Sequence, residues 1–361
     1  MEFTMPTSRR HFLRAAGCLT AASITGPGTA TVWSHSPPRK LRVGQIGVGH
    51  AHATKLSVYR ASDDYEVLGI VESDPQRRLQ AQEIPAFRDL PWMTAEQLLN
   101  QANLDVVLVE TEVKDLLDTA EACVAAGKHI HLDKPAGESL SQFRRLMKAA
   151  EQKGLMVQLG YMYRYNPAVV LLRSLVERGL LGEVFEVHTV MSKVVSDENR
   201  KMLAEYSGGI MFELGCHVLD TVIKLMGAPT RVTNFHQRSR PEHDLLVDNM
   251  LSVLEYPQAT ASIRSSALEV EGFARRHLTV CGTEGTFHIQ PLDDPTARLA
   301  LDKPRAGYEA GYQELRFPRY ERYVDDARDM ARVIRGEKAN DFPYAHDLLV
   351  QTTLLDMCAV S

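Results

Sequence analysis

Leu41-Arg-Val-Gly-Gln-Ile-Gly47-Val-Gly49-His50-Ala-His52 is an apolar run that meets two closely spaced glycines and passes into a helical pattern. Strand, glycine turn and helix in that order open a dinucleotide-binding sheet. Gly47 lets the chain turn where a side chain would clash, and Gly49 lets backbone N–H groups at the helix start approach a pyrophosphate. His52 stands where G-x-G-x-x-G has its third glycine, a departure that weakens close packing of helix on strand. A second strand, Glu66 to Val71, ends at Glu72. A carboxylate there can accept hydrogen bonds from ribose hydroxyls and would repel a 2′-phosphate. The stretch predicts NAD in preference to NADP, with Gly47, Gly49, His50 and Glu72 beside it.

Outward from that turn, strands and helices alternate over residues 39–160. Asp74-Pro75 starts a helix, Thr94 to Ala102 is another, and Asp105 to Val109 is a continuous apolar strand of the kind buried on both faces. Lys114 to Gly127 reads as a helix stopped by glycine, His129 to Leu132 as a strand, Ser141 to Gly154 as a helix capped by Ser141, and Val157 to Leu159 as the last strand. This is the grammar of a parallel α/β sheet covered on both faces, a Rossmann domain. Beyond Tyr161 the grammar changes. Helices from Pro167 to Arg178 and from Met211 to Met226 flank a long strand, Glu183 to Val194. Strands with hairpin spacing follow at Asn249 to Tyr256, Ala259 to Ser265, Arg276 to Cys281 and Thr286 to Ile289, then closing helices at Tyr320 to Ile334 and Tyr344 to Ala359. Residues 161–361 therefore form an α+β domain with a large, mostly antiparallel open sheet.

A net charge of -5 over 361 residues leaves no basic footprint for nucleic acid, and five scattered cysteines without C-x-x-C indicate neither a structural zinc site nor a disulfide scaffold. The first 38 residues differ in kind. Ser8-Arg9-Arg10-His11-Phe12-Leu13, with no acidic residue between Glu2 and Asp63, resembles a twin-arginine export signal followed by a linker. Its apolar part is too short to span a bilayer. A periplasmic or other extracytoplasmic location is expected, or a cytoplasmic one if the basic segment is incidental.

Two constellations carry chemistry. Asp133-Lys134-Pro135 leaves the carboxyl end of a strand, the edge at which open α/β sheets bind ligands, so Lys134 can reach a nicotinamide. Glu213, His217 and Asp220 are spaced i, i+4 and i+7, which on a regular helix puts all three on one face and flanks a basic histidine with carboxylates. A solvated face or a metal site lacking its third ligand fits that spacing too. Between them, Tyr161-Met-Tyr163-Arg164-Tyr165 can line a pocket for a hydroxylated substrate or simply pack between domains.

In this order the pieces resemble the glucose-fructose oxidoreductase and inositol 2-dehydrogenase family, Gfo/Idh/MocA, whose pattern is E-K-P followed by G-G-G-x-x-x-D-x-G-x-H-x-x-D. The resemblance implies NAD(P)-dependent oxidation or reduction at a hydroxyl-bearing carbon of a sugar or polyol, and homodimers or homotetramers. It places the catalytic lysine on Lys134, the aspartate on Glu213 and the histidine on His217. Thr111, Asp133 and Lys134 then belong with the cofactor, and Tyr163, Arg164 and Asp220 with the substrate; no metal is expected. Three departures stand out: Asp133 for glutamate, Glu213 for aspartate, and Glu110-Thr111-Glu112 where a Thr-Pro pair is usual, which sets two acids beside the nicotinamide. A glycosidase using NAD transiently and a sugar sensor without catalysis are the alternative functions. Export would further require that NAD travel tightly bound.

Overall fold

The computed structural model describes residues 39–359; the arginine pair and Cys18 lie outside them. Six strands form a parallel sheet in the order β3-β2-β1-β4-β5-β6: β1 (Leu41–Ile46), β2 (Tyr65–Val71), β3 (Trp92–Met93), β4 (Val106–Val109), β5 (His129–Leu132) and β6 (Val157–Leu159). All four residues of β4 are buried, as expected for an apolar run with helices on both sides. The strand order reverses beside β1, which opens a crevice at the carboxyl ends of β1 and β4.

The covering helices are α1 (Leu56–Ala61), α2 (Pro75–Ala81), α3 (Ala95–Leu99), α4 (Leu116–Ala125) and α5 (Leu140–Gln152). Asp74 caps α2 by accepting from the N–H groups of Gln76 and Arg77, and Thr94 with Gln97 forms a reciprocal capping box on α3. On α5 the cap is Ser139, which accepts from the Gln142 N–H. The expected cap, Ser141, already lies inside the helix.

The second sheet has eight strands in the order β14-β13-β12-β11-β7-β10-β9-β8. They are β7 (Val184–Val190), β8 (Arg231–Gln237), β9 (Asn249–Tyr256), β10 (Ala259–Ser266), β11 (His277–Gly282), β12 (Gly285–Ile289), β13 (Thr296–Leu301) and β14 (Gly311–Arg316). All neighbours are antiparallel except β7 with β10. Helices α6 (Pro167–Glu177), α7 (Asp197–Leu203), α8 (Cys216–Met226), the short α9 (Gly272–Arg275), α10 (Val324–Ile334) and α11 (Tyr344–Cys358) complete the chain. The strand expected to reach Val194 ends at Val190, beyond which Val194 makes only an isolated bridge to Leu268.

Helix α10 returns to the first sheet. Its Ala327, Met330 and Ala331 are buried with Leu41, Val43, Leu56 and Tyr59. Tyr65 Oη donates to the Ala327 carbonyl at 2.7 Å, and Gln158 Nε2 to that of Asp326 at 3.0 Å. The C-terminal segment thus packs with both sheets. Tyr323, at φ +70°, precedes α10, so the helix starts at Val324 and not at Tyr320.

Candidate active site

Gly47 has φ +92°, and a Cβ there would lie 2.5 Å from the Thr111 amide nitrogen, so only glycine fits between the ends of β1 and β4. Glu72 braces this turn: one carboxylate oxygen accepts from the Val48 N–H at 3.1 Å, the other from the Asp74 N–H at 2.9 Å. Arg77 reaches across Gly49, 3.7 Å from Glu72 and 3.0 Å from Glu112. A positive-φ glycine turn at the end of β1, a second glycine without a side chain, and a carboxylate at the end of β2 are the parts a dinucleotide needs, and the residues present fit one. Beside the turn lies a cleft of about 410 Å³, lined by Gly49, His50, Glu112, Lys193, Tyr206 and Glu213.

Lys134 enters from the end of β5 and is buried. Its Nζ donates to the Glu213 carbonyl at 3.0 Å and lies 3.3 Å from the Glu213 carboxylate. Burial alone would lower its pKa, but Glu213, Cys216 and Asp133 outweigh burial and leave it raised, so the side chain is an ammonium. Burial pushes Glu213 the other way, towards the neutral acid, and Lys134 with Lys193 overcomes this and keeps it ionised. His217, on the first turn of α8, is held well below the usual histidine range, first by burial and then by the charge of Lys134. It is therefore neutral and can accept a proton.

The regular-helix spacing fails at one place. Met211–Gly215 forms a π-turn before α8, which widens the turn and breaks the i, i+4, i+7 alignment. Glu213 goes to Lys134, and Asp220 points into the core, so neither flanks His217; His217 Nδ1 is buried with no partner among the described residues. Asp220 pairs with Arg164 at 2.7 Å and with His346 at 2.9 Å, while the same guanidinium reaches Asp347 at 2.5 Å. Arg164 also lies over the rings of Phe342 and Tyr161. The two expected substrate residues Arg164 and Asp220 thus neutralise each other inside the protein and do not face the cleft. Tyr163 is buried too; its ring lies 5.9 Å from that of His217, and its hydroxyl donates to Asp293 at 3.2 Å.

Beneath the glycine turn lies a polar cluster that the sequence reading did not foresee. Lys55 Nζ is 2.5 Å from Asp133, 2.8 Å from His131 Nε2 and 3.0 Å from Glu110. Asp133 also accepts from the Lys134 N–H at 2.6 Å and lies 3.2 Å from both His50 and His52. Despite burial, His50, Lys55 and His52 hold the Asp133 carboxyl well below the usual range. Glu110 is pushed up to about 8, by burial first and then by Asp133. Two of these sets, His50 with His52 and Asp133, and Glu110 with His131 and Asp133, have ligand atoms within 4.8 Å of one another. The Lys55 ammonium already touches Asp133, Glu110 and His131, and so takes the place a metal cation would fill in the second set. His50 braces the catalytic loop, its Nε2 lying 3.0 Å from the Lys134 carbonyl, and also lines the cleft. Lys193, just past β7, is a further cleft residue missed from sequence, because a single lysine outside any motif carries no signal.

A dinucleotide glycine turn with the buried Lys134 ammonium and a neutral His217 packed near it is the arrangement of an NAD(P)-dependent oxidoreductase. The family model described as an oxidoreductase family with an NAD-binding Rossmann fold matches residues 41–161, and the GFO/IDH/MocA C-terminal domain matches residues 169–288; the chain belongs to the Gfo/Idh/MocA oxidoreductase family. It is 28% identical over 265 residues to the uncharacterized oxidoreductase YdgJ of Escherichia coli, covering 72% of this chain and 74% of that one. It is 25% identical over 256 residues to trans-1,2-dihydrobenzene-1,2-diol dehydrogenase of Sus scrofa, covering 69% and 74%. An oxidoreductase from Agrobacterium radiobacter solved with NAD+, L-tartaric acid and magnesium shares the fold, with a TM-score of 0.75 at 17% identity over 88% of this chain and 94% of that one.

Proposed function

We propose that the protein transfers hydride between NAD and a hydroxyl-bearing carbon of a sugar or polyol. The observation that carries this is the buried, charged Lys134 beside the neutral His217, next to the glycine turn. Bound in the crevice, the nicotinamide supplies or accepts the hydride. The protein does the rest. Lys134 donates a hydrogen bond to the reacting oxygen and stabilises its developing negative charge, a neutral histidine accepts the hydroxyl proton, the part that the motif gives to His217, and Glu213 fixes the lysine in place. The test is a panel of sugars and polyols mixed with protein and NAD, following the reduced nicotinamide absorbance. Reduction by one or more of them is expected, and a nucleotide-loaded protein inert to the whole panel would contradict the reading.

Glu72 supports NAD over NADP, since a carboxylate fixed at the end of β2 faces a 2′-phosphate with like charge. Titration calorimetry is expected to show NAD binding at least tenfold tighter, with Glu72→Gln narrowing the gap. Equal affinities in the parent protein would refute it, with Arg77 as the group able to take the phosphate.

We further propose export by the twin-arginine route with the cofactor already inside, and a redox-neutral cycle, because NAD is not replenished outside the cytoplasm. The arginine pair at Arg9 and Arg10 supports this. Acid-denatured purified protein should then release about one nicotinamide nucleotide per chain, and stripped protein should melt at lower temperature, by mass action about 3 kcal/mol less stable than one held at a hundredfold excess over its dissociation constant. A protein that arrives empty and works only with added, freely exchanging NAD would contradict this. A homodimer or homotetramer through the sheet face turned away from α11 is the proposed assembly, supported by Phe235, Leu251 and Val253 on that face.

A further inference from the structure

Three histidines, His50, His52 and His217, lie about the glycine turn and Lys134, and His50 has both ring nitrogens engaged, Nδ1 by the His52 N–H and Asp133 and Nε2 by the Lys134 carbonyl. His217 has no carboxylate: Glu213 is taken by Lys134, Asp220 by Arg164 and His346, and its own Nδ1 is buried without a partner among the described residues. His52, by contrast, has Nδ1 3.2 Å from Asp133 Oδ1. Asp133 is itself locked by the Lys55 ammonium and the Lys134 N–H, and Gly160 makes room for it, since a Cβ at Gly160 would come within 2.8 Å of the same oxygen. With Asp133 accepting from Nδ1–H, the lone pair of His52 is on Nε2, where no protein partner is found among the described residues. The His52 ring centroid lies 6.1 Å from that of His217 and 5.9 Å from that of Tyr323. A direct hydrogen bond between two imidazoles needs roughly 5 Å between centroids, so the two rings are neighbours that do not bond to each other.

We propose that His52, held by Asp133, takes the place of His217 as the proton acceptor of this site, receiving the proton released when hydride leaves the carbon. The balance is that of an alcohol oxidation: the C–H pair goes to the nicotinamide, the O–H bond breaks, its electrons form the second carbon–oxygen bond, and the proton goes to His52 Nε2. Asp133 stabilises the imidazolium without itself being protonated, as the carboxylate of any oriented histidine base does. In the resting protein burial keeps His52 neutral, lowering its pKa to about 4, with Lys134 and Lys55 adding to the effect and Asp133 opposing it. An oxygen turning anionic beside Lys134 offsets that lysine's field, so the basicity of His52 rises as the reaction needs it. The residue standing in place of the third glycine is then a component of the chemistry.

This rests on the hydride-transfer reading, and its test separates the two. In nucleotide-free protein labelled with 15N-histidine, NMR should show His52 as the Nδ1–H tautomer with an unprotonated Nε2. In His52→Gln, NAD affinity should stay within about threefold, while turnover of whichever panel compound the parent protein oxidises should fall about 10²- to 10³-fold. An Nε2–H tautomer, or a folded His52→Gln that keeps turnover within threefold, would overturn the proposal. If the variant does not fold, the tautomer in the parent protein decides. If no panel compound transfers hydride to the parent protein, the functional reading fails, and an Nδ1–H tautomer still supports the Asp133–His52 pair.

Discussion

Lys134→Met is expected to lower turnover about 10²- to 10³-fold while NAD affinity changes little. The ammonium is buried and held charged by Glu213, and methionine fills a similar volume, so the substitution removes mainly the hydrogen bond to the reacting oxygen. Such a donor acts most strongly where charge develops, so the loss should appear in kcat more than in KM. Lys134→Arg is not expected to rescue it, because the enclosed site has no room for the wider guanidinium fork. Steady-state kinetics on a compound from the panel, paired with calorimetry for NAD, checks both parts. Turnover within tenfold of the parent protein would remove Lys134 from the chemistry.

Arg164→Met should act on stability. One guanidinium balances Asp220 and Asp347, and its removal leaves two carboxylates buried with His346 as the remaining partner; breaking a buried pair in this way typically costs about 3–5 kcal/mol. Urea unfolding should show that loss, and the double variant Arg164→Met, Asp220→Leu should recover part of it, because the stranded charge goes with the second substitution. Asp220 also sets a pH dependence. Burial raises its pKa, but Arg164 and His346 outweigh burial and hold it at about 2. The folded chain therefore binds fewer protons there than the unfolded chain, so this stabilisation is complete above the unfolded value, about 3.9, and is lost as pH falls towards 2. A stability loss below about 1 kcal/mol, accompanied by a raised KM, would instead return Arg164 to the substrate.

The parts of the fold legible in the sequence were those in which local pattern and tertiary environment agree. The glycine turn needs residues without side chains, β4 is apolar because both of its faces are covered, and Asp133-Lys134-Pro135 lies at a strand end where ligands bind. What escaped reading depends on contacts distant in sequence. A π-turn adds a residue to a helical turn without changing composition, so Glu213 and His217 kept the spacing of one face while the backbone separated their roles. Strands β8 and β14 carry no clear alternation because much of their length is exposed or half-buried. Lys55 and His131 belong to segments whose other residues read as core, and only the fold shows that they meet each other and Asp133, together with Glu110, expected beside the nicotinamide and instead buried beneath the turn. Arg164 looked like a substrate ligand because a charge at a domain junction is read as exposed until its partners are known, and Asp220 because its spacing set it on the helix face of His217.

Hydride is expected to pass in this crevice from a hydroxyl-bearing carbon to the nicotinamide. The most direct test is a single turnover of nucleotide-loaded protein with a sugar or polyol deuterated at the reacting carbon, followed by mass analysis of the released nucleotide. One deuterium is expected on the nicotinamide ring, absent in Lys134→Met over the same interval. A nucleotide that stays unlabelled while the substrate is chemically changed would contradict it.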